Sequence, residues 1–112
     1  MEKYNGKREH GMDYRPTLET AEMDLLFASI LALKSREDCY RFFEDICTIS
    51  ELKALSQRIA VARMLDDNVT YHEISERTGA STATISRVNR CLTYGSGGYR
   101  IVLDQLKDAT SQ

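Results

Sequence analysis

Between Thr70 and Leu92 the chain carries two short runs of helical periodicity joined at one glycine, and this arrangement restricts the fold more than any other feature. The first run, Tyr71 to Thr78, has Ile74 as its apolar contact, with the small Ser75 placed where two helices approach closely. The second, Ser81 to about Thr93, sets Ile85, Val88 and Leu92 on one side at helical spacing. Gly79 stands between them and takes the left-handed conformation of a sharp turn at no steric cost. Two short helices joined in this way form a helix-turn-helix.

The remaining sequence is also helical in period. A first helix is expected from Thr17, as N-cap, to about Leu33, with Glu19 and Glu22 where the helix dipole favours anions. A second follows Ser35, with Glu37 and Asp38 in its first turn and Tyr40, Phe43 and Ile46 or Cys47 as its inner face. A third spans about Ser50 to Leu65, with Leu52, Leu55, Ile59, Ala62 and Leu65 at helical spacing, and Asp66-Asp67-Asn68 breaks it. Beyond the glycine-rich loop Tyr94 to Tyr99, read as the most flexible interior stretch, a last helix to about Lys107 presents Ile101, Val102 and Leu106. No stretch alternates as a strand would, so the fold class is all-α, with six helices. A chain of 112 residues holds one core, assigned to residues 17–108 between a flexible N-terminal tail, 1–16, and a short C-terminal tail, 109–112.

Leu25 to Leu33 is apolar on nearly all sides, and such a helix needs cover from more than one neighbour. A second subunit is a natural source of it, so a homodimer is expected. The same stretch ends at Lys34 and is too short to cross a bilayer, and the polar N-terminus has no signal-peptide core. The expectation is a cytoplasmic protein with no membrane partner. Cys39, Cys47 and Cys91 are odd in number and form no Cys-x-x-Cys pair, so they are read as buried reduced thiols. With His10 and His72 also isolated, no metal site and no catalytic residues are indicated. The glycine-rich loop lacks the Lys-Ser/Thr ending of a phosphate-binding loop.

A formal net charge of −2 conceals a division along the chain. From Thr17 to Lys53 acids outnumber bases by eight to four, whereas Ser81 to Arg100 holds Arg87, Arg90 and Arg100 and no acid. On the second helix of the pair, the side opposite Ile85, Val88 and Leu92 belongs to Ala83, Ser86, Arg87 and Arg90, with Thr82 and Thr84 at its margins. Arg suits guanine edges, Ser and Thr bond adaptably, and Ala approaches a thymine methyl. Ser81 caps the helix, whose free N–H groups suit a phosphate. The expected partner is double-stranded DNA. An alternative is a protein-interaction adaptor that uses the same bihelical unit without DNA.

The strings Gln57-Arg58-Ile59-Ala60-Val61-Ala62-Arg63-Met64-Leu65, Gly79-Ala80-Ser81-Thr82-Ala83-Thr84-Ile85-Ser86-Arg87 and Tyr94-Gly95-Ser96-Gly97-Gly98-Tyr99 resemble the Trp repressor superfamily, and within it the YerC-like branch. The resemblance covers about Thr17 to Leu106. It implies an intertwined homodimer of six-helix subunits on a palindromic operator, acting as a transcriptional repressor. It places DNA contacts at Ala80, Ser81, Thr82, Ala83, Thr84 and Ser86, with backbone contacts from Tyr71, His72 and Ser75. It further implies an amino-acid corepressor near Gln57, Arg87 and Cys91. At Gln57 the tryptophan-responsive members have an arginine, which a neutral amide cannot replace in pairing with a carboxylate. Cys91 replaces a small hydroxyl residue. Both changes argue against tryptophan, and the branch suggests histidine as a candidate.

Overall fold

The computed structural model describes residues 14–110, so most of the expected N-terminal tail lies outside the described residues. Six helices follow in order: α1 (Ala21–Leu31), α2 (Arg36–Ile46), α3 (Ile49–Asp66), α4 (Tyr71–Thr78), α5 (Thr82–Tyr94) and α6 (Gly98–Thr110). No strand occurs among the described residues. Where composition pointed to one domain over 17–108, the fold divides into two compact units that part between Phe43 and Glu44.

In the first unit, α1 starts three residues later than expected. Thr20, not Thr17, is the N-cap, its hydroxyl accepting from the Met23 amide at 3.0 Å. A cap at Thr20 puts Ala21, Glu22 and Asp24 into the first turn, a better helix former and one more carboxylate than a cap at Thr17 would give. No residue of α1 is buried. At the start of α2 the Ser35 hydroxyl accepts from the Asp38 amide at 3.0 Å. Phe43 and Cys47 are half-buried as expected, but Tyr40 and Ile46 are exposed.

The second unit is built on α3, against which α4, α5 and α6 all pack. Thr48 and Glu51 form a reciprocal capping box at its start. Its end is a Schellman motif: Asn68 takes φ +63°, its amide donates to Leu65 and the Val69 amide donates to Met64, both at 3.0 Å. Val69 and Met64 each pack against the core, which consists of Val61, Ala62, Ile74, Ala80, Ile85, Val88 and Leu103.

Leu103 is the core residue of α6, whereas the expected Ile101, Val102 and Leu106 are exposed. Tyr99 and Leu103, one helical turn apart, set the inward face. The helix continues to Thr110, past the boundary drawn at 108. The expected loop before it shrinks to Gly95, Ser96 and Gly97, because α5 runs to Tyr94 and α6 begins at Gly98. At Gly95 an added Cβ would run into the Cys91 carbonyl oxygen, so the chain leaves α5 by a route open only to glycine.

Candidate nucleic-acid interface

The turn between α4 and α5 is closed by bonds from its own residues. Gly79 adopts φ +74° and ψ 4°, and its amide donates to Ser75 O at 2.8 Å. The Ser75 hydroxyl donates to Ala80 O at 2.9 Å. Thr78 Oγ1 donates to Ile74 O at 2.7 Å and accepts from the Ala80 amide at 3.1 Å. Ile74, Ala80, Ile85 and Val88 lie beneath the turn, all buried. The two helices therefore sit on one apolar wedge and share one polar clasp. Farther along, Asn89 Nδ2 donates to Tyr71 Oη at 3.2 Å, tying the middle of α5 to the first turn of α4.

The outward face of α5 follows the helical wheel at Ala83, Arg87 and Arg90, which are exposed, and at Thr84, half-buried at its margin. Ser86, expected on the outward side, is half-buried, whereas Thr82, expected at the margin, is exposed. Ser81 is the N-cap, accepting from the Thr84 amide and donating to Thr84 Oγ1, both at 3.1 Å. No acidic residue stands in the first turn of α5. The amides of Thr82 and Ala83 belong to the helix start, where no intrahelical acceptor exists, and so can receive an anion. Neither Arg87 nor Arg90 forms a salt bridge among the described residues.

Other expected site residues are placed differently. Ala80 is buried in the core, and Ser75 is half-buried with its hydroxyl committed to the turn, so both belong to the clasp rather than to the outward face. Tyr71 and His72 are exposed at the start of α4, with His72 Nε2 3.5 Å from the Glu76 carboxylate. On the same helix Arg77 and Glu73 pair at 3.3 Å, so the arginine of α4 is taken up within its own helix. Arg100, counted above with the positive segment, is taken up by Asp66 at 2.7 Å and Asp104 at 3.1 Å. Sequence distance hid this neutralisation: Asp66 is 34 residues away.

The three expected effector positions do not converge on one cavity. Gln57 Nε2 donates to Thr78 O at 3.1 Å. Arg87 is exposed on α5. Cys91 lines a shallow groove of about 550 Å³ with Ile59, Gly95, Ser96, Gly98, Tyr99 and Val102. Burial pushes the Tyr99 phenol above its ordinary value, with Cys91 adding to the shift and Arg58 opposing it. Cys39 and Cys91 are exposed and Cys47 is half-buried, so the thiols are free as expected but are not core residues. Cys39 lies on α2, which like α1 leaves every residue at least partly exposed, and Cys91 opens onto the groove. Among the described residues no cluster of His, Cys, Asp and Glu could hold a metal ion, and no helix is long and apolar enough to cross a membrane.

This arrangement has known counterparts. The family described as Trp repressor protein matches residues 21–107. Uncharacterized protein YerC of Bacillus subtilis (strain 168) is 56% identical over 95 residues, covering 85% of this chain and 91% of that protein. A TrpR-like protein from Eubacterium eligens has a crystal structure that superposes with a TM-score of 0.78 at 54% identity, covering 80% of this chain and 93% of that one. A candidate Trp repressor from Staphylococcus aureus gives 0.77 at 49% identity, covering 80% and 90%. The match spans five of the six helices completely and reaches into α6, so the chain belongs to the Trp repressor family of DNA-binding regulators.

Proposed function

We propose that this chain is a sequence-specific transcriptional repressor that occupies a palindromic DNA operator as a homodimer. The observation that carries the reading is the outward face of α5: two arginines without salt-bridge partners among the described residues, small hydroxyl side chains and a capped, acid-free N-terminus, held on a closed bihelical turn. In the major groove, Arg87 and Arg90 would serve guanine edges or phosphates, Thr82, Ser86 and Thr84 adaptable hydrogen bonds, and Ala83 a thymine methyl. The amides of Thr82 and Ala83 suit a phosphate, and Tyr71 and His72 lie at the start of α4, which crosses the backbone in this docking geometry. Ser75 and Ala80 would act by shaping the turn.

The homodimer is supported by α1, whose Leu25, Phe27 and Leu31 are each more than half exposed within one chain. Two copies related by a two-fold axis read two half-sites about one DNA turn apart, which makes the operator palindromic. The site of action is the cytoplasm, where bacterial DNA is reached. An amino acid, with histidine the first to try, is proposed to modulate binding from the groove beside Cys91.

Selection of bound duplexes from random DNA tests this reading. It should enrich an inverted repeat with half-sites one turn apart, and the selection repeated with each amino acid shows whether any changes the enrichment. Recovery of no repeat under any condition would overturn the operator-binding reading and favour the protein adaptor.

A further inference from the structure

We propose that Gln57 is a positioning residue for DNA recognition, its carboxamide pinning the turn between α4 and α5 to α3. Thr78 O is among the last carbonyls of α4, and Gly79 leads the chain away before an intrahelical donor can reach it. Gln57 Nε2 takes the donor's place at 3.1 Å in a half-buried setting. The assignment of nitrogen rather than oxygen to this position follows from chemistry, because a carbonyl only accepts.

The other side-chain bonds at the turn, Ser75 to Ala80, Thr78 to Ile74 and Ala80 to Thr78, are internal to the bihelical unit. They make the pair of helices rigid but say nothing about its orientation on the scaffold. Ile74, Ala80 and Ile85 hold it down by apolar packing, which is not directional. Among the described residues, Gln57 supplies the side-chain hydrogen bond that joins α3 to the turn, reaching Thr78, 21 residues away and three before the Ser81 cap. A bond at that point fixes the angle at which α5 leaves the scaffold, which direct base contact requires to within a fraction of an ångström. It uses one of the two Gln57 N–H donors, so the turn is held by the chain's own amide.

The inference rests on the proposed DNA-binding function, and its test separates the two. Gln57→Met keeps length and volume but has no donor; Gln57→Asn keeps the amide but is one methylene short. In the free full-length protein, exchange of the Gly79, Ala80 and Thr84 amides, each hydrogen-bonded within the turn or its cap, should quicken severalfold in both variants. Affinity for the selected duplex should fall about tenfold, the equivalent of one hydrogen bond lost at the upper end of the usual range, while affinity for an unrelated duplex at the same salt changes less than twofold. Wild-type exchange in both variants, or an equal loss on both duplexes, would overturn the positioning role. If the wild-type protein selects no duplex, the DNA reading fails, whereas the exchange arm still decides whether Gln57 holds the turn.

Discussion

Arg100 on α6 reaches back to Asp66, the last residue of α3, with Nη2 2.7 Å from Oδ1 and Nη1 3.4 Å from Oδ2. Lys107 adds a third contact at 2.9 Å from Oδ2, so one carboxylate fastens two turns of α6 to the scaffold. These bonds, chiefly that from Arg100 and then that from Lys107, hold the Asp66 carboxyl at about 2 against its ordinary 3.8. A carboxyl lowered on folding stabilises the fold above its ordinary value and loses that contribution as pH falls toward about 2. Asp66→Asn should therefore lower the unfolding free energy at pH 7 by about 1 kcal/mol, the upper end of the range for exposed pairs. The difference from wild type, read from urea melts, should shrink between pH 4 and pH 2. A gap that stays constant across that interval would show that the ion pairs do not hold α6.

The two glycines on either side of α5 are required for different reasons. At Gly79 no atom lies within 4 Å of the position a methyl would take, so Gly79→Ala meets only the left-handed backbone penalty, about 1 kcal/mol. Gly95 has an ordinary φ of −81°, but its Cβ would meet the Cys91 backbone, which cannot give way. Gly95→Ala should cost more, about 2 kcal/mol, and should disturb the start of α6. Equal denaturation midpoints for the two variants would contradict this division.

Much of the reading unit was legible in the sequence because its determinants are local. Ser81 as cap, Gly79 as turn and the Ile85, Val88, Leu92 spacing all act within one or two turns, and each proved to be where the pattern put it. What escaped were relations across long separations. Nothing near Gln57 signals that its amide closes α4, and the burial of Leu103 beside exposed Ile101 and Val102 depends on where α6 crosses α3. The same limit explains Arg100, whose charge is cancelled by an acid far upstream. Thr17 and Thr20 show a local ambiguity instead: both are good caps, and first-turn composition decides between them.

The exposed α1 supports a prediction about assembly. Leu25, Phe27 and Leu31 are 68%, 54% and 77% exposed within the chain, three large apolar side chains on one helix for a second subunit to cover. Sedimentation at tens of micromolar should give twice the 12.8 kDa chain mass. The double substitution Leu25→Asp, Leu31→Asp should yield monomers and reduce DNA affinity with them. A wild-type monomer would remove the dimer from the account.

The most direct test of the central claim is the salt dependence of duplex binding. Affinity of the wild-type protein for the selected duplex should fall steeply and linearly in a double-logarithmic plot. Arg87→Ala and Arg90→Ala should each weaken binding, and where the arginine contacts a phosphate the slope should drop by about one per subunit; Arg100→Ala, whose charge is already satisfied by Asp66 and Asp104, should leave the slope unchanged. Affinity that is indifferent to salt, or unaltered in both the Arg87 and Arg90 variants, would contradict the assignment of the outward face of α5 to DNA.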